Sequence, residues 1–110
     1  MDDSRVLITG LGLVCCLGQD VPTFWRRLVA GESGIGPITR FPTEGLRNPH
    51  GGEVRDWRAP SWLPQASSLD RATQFALAAA EEAWRDAGLP TPGEGKEEPR
   101  WGAVLATNFG

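Results

Sequence analysis

The chain is poor in the residues on which metal and nucleophile chemistry most often rests: of 110 residues, one is His and two are Cys. His50 has no second His or Cys at a recognised ligand spacing, so a surface loop position is its default reading. The two cysteines are neighbours, Cys15-Cys16. An adjacent pair makes a poor metal clamp, and a disulfide between neighbours needs strained geometry. They read as free, small, buried thiols in a reducing compartment, and the expected location is the cytoplasm. There is no excess of positive charge either: 11 Lys+Arg stand against 14 Asp+Glu, a formal charge of -3. Nothing here would neutralise a row of phosphates, so nucleic acid is not expected as a partner. No apolar run is long enough to span a bilayer, and no Lys/Arg-led apolar segment precedes the first expected strand.

Large aliphatic residues are also sparse. Leu, Ile, Val and Phe make up about 22% of the chain, just above the range of disordered sequences. Gly and Pro add about 21%, well over the usual share. A chain of this size that spends a fifth of itself on punctuation has a thin core, which suggests part of a larger fold.

What is present has an order. Val6-Leu7-Ile8-Thr9 is an apolar, β-branched run that ends at Gly10-Leu11-Gly12; the strand is expected over about 5–14, buried on both faces. A helix is expected over about 21–30. Asp20 caps it, Pro22 sits in its first turn, Val21, Phe24, Trp25, Leu28 and Val29 share one face, and Gly31 closes it. From 32 to 67 periodicity dissolves into an irregular loop in which only Gly52-Glu53-Val54-Arg55 hints at a strand, while Phe41, Trp57 and Trp62 suggest that it packs on something. A second helix is expected over about 69–87, with Ser67 and Asp70 at capping-box spacing and Gly88 as its stop. Its apolar arc, Leu69, Ala72, Phe75, Ala76, Leu77, Ala79, Ala80, Ala83 and Trp84, covers roughly 200°, twice the ordinary stripe, so it needs cover on more than one side. Asp70, Arg71, Gln74, Glu81, Glu82 and Arg85 fill the polar remainder. A linker over 88–99 leads to a second buried strand over about 101–107. Strand, helix, loop, helix, strand implies an α/β architecture with a parallel sheet. Two strands do not stabilise such a sheet alone.

Gly10-x-Gly12 after a strand invites a dinucleotide-binding reading. The third glycine of that fingerprint would fall at Cys15, and the helix starts only near residue 20. A turn that lets strand and helix pack closely accounts for these glycines better. A thiolate nucleophile at Cys15 or Cys16 would need a cationic neighbour or a helix N-terminus, and the one His lies in the loop. No complete catalytic constellation is present.

Arg5-Val6-Leu7-Ile8-Thr9-Gly10-Leu11-Gly12-Leu13-Val14 followed by Leu17-Gly18 closely resembles the opening of the β-ketoacyl-acyl-carrier-protein synthases. The similarity continues through Ser33-Gly34-Ile35-Gly36-Pro37-Ile38-Thr39-Arg40-Phe41, Gly52-Glu53-Val54, Leu69-Asp70-Arg71-x-x-Gln74-Phe75-Ala76-Leu77-Ala78-Ala79 and Gly102-Ala103-Val104-Leu105. It runs from about Arg5 to Gly110 and is greatest to the type II elongating synthases. The resemblance implies an incomplete N-terminal portion of a thiolase-like layered α/β sandwich, spanning residues 1–110. It implies decarboxylative condensation of an acyl thioester with malonyl-carrier protein, in fatty-acid or polyketide synthesis. The implied partners are acyl carrier protein and acyl thioesters in a longer parent that is a homodimer or heterodimer. It implies no cofactor and no metal.

In that family the nucleophilic Cys and two His lie beyond the matching segment. Cys15 and Cys16 stand where the family usually has Ser-Pro, so no catalytic residue is expected here, and the 110-residue chain alone is expected to be inactive. One position carries over: Phe109 matches an apolar side chain at the acyl-pocket gate, in a turn reading Ala106-Thr107-Asn108-Phe109-Gly110. Phe109 is the sole candidate substrate-binding residue, and core packing is an equal reading of it. Two further readings stay open, a non-catalytic chain-length-factor-like partner and an inactive truncated remnant.

Overall fold

The computed structural model describes residues 4–63, 68–91 and 100–108. Its elements in chain order are helix α1 (Val21–Val29), strands β1 (Gly36–Pro37) and β2 (His50–Gly51), and helix α2 (Arg71–Asp86).

Local signals place both helices. Asp20 caps α1: its carboxylate accepts from the Thr23 amide at 2.7 Å and from the Thr23 hydroxyl at 3.0 Å, while Pro22 occupies the first turn. Beyond the C-cap Ala30, the chain turns through the left-handed Gly31, φ 73°. Asp70 caps α2, accepting from the Thr73 amide at 2.6 Å, and Gly88, φ 68°, ends it beyond the C-cap Ala87. The cap is therefore Asp70 itself, and the helix begins at Arg71, two residues inside the expected start at 69; Ser67 lies outside the described residues. Asp70 suits this because its short carboxylate reaches the amide three residues on.

The strand expected over 5–14 carries no ladder, and neither do the described residues of the one expected over 101–107. A strand exists only by main-chain pairing, and no described segment pairs with either. Val6 is 97% exposed and Val104 98%. The sheet that does form lies inside the expected loop. It is a two-stranded antiparallel pair with Gly36 opposite Gly51 and Pro37 opposite His50. It falls just before the Gly52–Arg55 run that hinted at a strand, and since Pro37 lacks an N–H its neighbour Ile38 donates to Pro49 O at 2.9 Å.

The apolar face of α1 is largely open, with Trp25 and Val29 both exposed. Among the described residues the buried apolar side chains are Leu17 and Leu63. The Cα radius of gyration is 17.5 Å, against about 13 Å for a compact chain of about 100 residues. The core of the described residues is as thin as the composition implied.

Candidate functional site

Two stretches of α2 organise the molecule. On its C-terminal half, the segment 10–13 lies directly on the helix. A Cβ placed on Gly12 would sit 1.9 Å from the Ala79 carbonyl oxygen, and one on Gly10 would sit 2.2 Å from that of Ala83. Only glycine at these two positions, against alanine on the helix, permits so close an approach. The Gly10-x-Gly12 motif thus serves packing, as its truncated spacing indicated. Closeness brings the segment's amides to acids on the helix. Leu11 N donates to Asp86 Oδ2 at 3.0 Å and Leu13 N to Glu82 Oε2 at 3.0 Å. The other Glu82 oxygen, Oε1, accepts from Val21 N at 2.7 Å, the first residue of α1. One carboxylate therefore ties the N-terminal segment, α1 and α2 together.

On its N-terminal half, Arg71, Gln74 and Phe75 hold the irregular loop. Arg71 Nη2 donates to Val54 O at 2.7 Å, and its guanidinium lies 5.0 Å from the Phe75 ring centroid. Trp57 Nε1 donates to Gln74 Oε1 at 2.8 Å, Gln74 Nε2 donates to Leu69 O at 2.9 Å, and the Trp57 and Phe75 rings meet edge to face at 4.8 Å. Gln74 is the buried residue of α2. Gln74 and Glu82 both fall in the polar remainder of the helix, and both take contacts there for one reason: main-chain and indole N–H groups approach the helix and need acceptors. Acids at 82 and 86, four apart and flanking small residues, were the sequence signal for the clamp.

The loop anchored this way folds around Glu53. Its carboxylate accepts from Thr39 N at 2.9 Å, the Thr39 hydroxyl at 2.9 Å and Arg40 N at 3.0 Å. The Thr39 amide bond, with the hydroxyl and Arg40 bonds and the nearby Arg55 charge, holds the Glu53 carboxyl below its ordinary value against a smaller opposing effect of desolvation. Arg55 also donates to Pro37 O at 2.7 Å, and Gln19 Nε2 to Arg55 O at 2.9 Å, joining β1 to the turn after the first segment.

That turn carries the thiols. Cys15 and Gly18 exchange main-chain bonds, N to O at 2.9 Å and 3.2 Å, with Cys16 and Leu17 at the bend. Both cysteines are free and half-buried. Cys16 nests between two glycines: a Cβ on Gly34 would lie 2.7 Å from its Sγ, and one on Gly52 2.8 Å. A cleft of about 290 Å³ opens beside them, bordered also by Arg27, Glu53 and Arg55. Arg27 is engaged, bonding Leu17 O at 2.8 Å and pairing with Glu32. His50, in β2, is exposed and is not among the residues bordering this cleft. The thiols are thus packing groups, less deeply buried than expected. Among the described residues no group of three or more His, Cys, Asp and Glu is placed to hold a metal ion, and no helix is long and apolar enough to cross a membrane. Phe109 lies outside the described residues.

The geometry is that of a scaffold in which Gly10, Gly12, Glu53, Arg71 and Gln74 each have a structural task. Residues 3–110 match the family model described as "Beta-ketoacyl synthase, N-terminal domain". The chain is 38% identical over 113 residues to 3-oxoacyl-(acyl-carrier-protein) synthase 2 of Coxiella burnetii, covering 100% of this chain and 27% of that protein. It is 38% identical over 91 residues to the protein of the same name from Synechocystis, covering 81% of this chain and 22% of the relative. It therefore spans about a quarter of the length of these curated relatives. Among solved structures, "The ishigamide ketosynthase/chain length factor" is similar with a TM-score of 0.65 and 41% identity over 76% of this chain and 21% of that one. The mixed helix and strand content is consistent with the match across residues 3–110, and the chain belongs to the β-ketoacyl synthase family, in its N-terminal domain.

Proposed function

We propose that this chain is the opening part of a 3-oxoacyl-acyl-carrier-protein synthase of fatty-acid or polyketide biosynthesis. In such an enzyme an acyl group passes from a carrier thioester to a Cys thiolate, and malonyl-carrier protein loses carbon dioxide. The resulting enolate attacks the acyl-enzyme, expelling the thiolate and forming the 3-oxoacyl product. The nucleophile and the two His belong to sequence beyond this segment, and the 110 residues by themselves do not condense. Their task is to seat the first strand and two helices of a layered α/β sandwich. Val6–Thr9 and Val104–Thr107 are then interior strands of its sheet. The parent is a cytoplasmic dimer, of like or unlike subunits, that receives acyl carrier protein, and Phe109 closes the acyl pocket.

The observation that carries this reading is the family match over residues 3–110 together with the tasks of Gly12, Arg71 and Gln74. The test is to read the coding sequence downstream of Gly110 and assay its full product with acyl- and malonyl-carrier protein. A Cys followed by two His, with carbon dioxide release and 3-oxoacyl product, upholds the proposal. Condensation by the 110-residue chain that vanishes on Cys15→Ala or Cys16→Ala overturns it. The resemblance to a ketosynthase/chain length factor structure favours one second reading, a non-catalytic partner subunit. A replaced Cys in the downstream sequence, with activity only on mixing with a second subunit, selects it.

A further inference from the structure

We draw no further inference here: the strongest candidate, the apolar groove on the outer side of α2 bordered by Trp62, Leu77, Ala80, Trp84 and Leu89, is an unpartnered face, and nothing in the structure shows what covers it.

Discussion

Gly12→Ala adds one methyl group at the tightest point of the fold. The new Cβ would stand 1.9 Å from the Ala79 carbonyl oxygen and 2.8 Å from Ala83 N, all main chain, so no side chain can turn aside to relieve it. Restoring even a 3.0 Å contact requires the segment and α2 to part by about 1.1 Å, the difference between 3.0 and 1.9 Å. The bonds from Leu11 N to Asp86 and from Leu13 N to Glu82 both start at 3.0 Å, so that movement carries them to about 4 Å, beyond hydrogen-bonding range. Bonds to charged acceptors are worth roughly 1.5–3 kcal/mol each, and the Leu11 bond is exposed and weaker, so the loss is about 2–4 kcal/mol. The assay is hydrogen exchange at the Leu11 and Leu13 amides with a thermal melt, in the longest expressible form of the protein. Faster exchange at both amides and a lower melting temperature are expected. Gly31→Ala is the control: its left-handed backbone, φ 73°, costs about 1–2 kcal/mol, but nothing lies within 4 Å, so those two amides keep their protection. An unchanged melt and unchanged exchange in Gly12→Ala would refute the reasoning.

Glu82→Gln puts an NH2 against one of two main-chain donors, and a loss of about 1–3 kcal/mol is expected in chemical denaturation; a neutral result would show that the two bonds contribute nothing. The Thr73 amide, and then its hydroxyl, hold the Asp70 carboxyl below its ordinary value. The cap's contribution is accordingly complete above the unfolded carboxylate pKa and is lost as pH falls through the lowered folded one. Circular dichroism during acid titration should show helix loss that Asp70→Asn, which caps without titrating, makes less steep. Asp56 has φ 53°, so Asp56→Gly should leave the melting temperature unchanged or slightly raised, whereas Asp56→Val should lower it. In an active full-length parent, Phe109→Ala should shift acyl-enzyme formation toward longer chains with the fold retained; unchanged preference with a large loss of stability, on the order of 3–5 kcal/mol, would assign Phe109 to the core.

The helices could be read from the chain because their signals are local. Asp20, Pro22 and Gly31 frame α1, and Asp70 and Gly88 frame α2, each within a few residues of the main chain it satisfies. The Gly10-x-Gly12 spacing told what it did, close packing, but not against which residues, since Ala79 and Ala83 lie far along the chain. Strand pairing is non-local in the same way. Val6–Thr9 has the composition of a buried strand, yet composition names no neighbour, and none of the described segments serves as one. Conversely, Gly36–Pro37 and His50–Gly51 have no strand-like composition and pair because Glu53, Arg55 and Pro49 draw the loop together. Gln74 falls outside the apolar arc of the helix by its polarity, yet the Trp57 indole gives it a buried partner. Of the site, the sequence offered a single residue, Phe109, because the family resemblance implies that the reacting groups lie beyond the matching segment.

The Glu82 carboxylate has a consequence for how the chain tolerates insertions. It joins positions 61 and 69 residues distant, Val21 and Leu13, and so closes long loops through one side chain. Loop-closure entropy grows only logarithmically, so inserting about ten residues between the helices would add roughly 0.1 kcal/mol to the closure cost. The register of the first segment against the two helices is set at the clamp and not by the length of chain between. A change of length in a segment such as 41–49 therefore costs the seat of the first segment on α2 little in closure entropy.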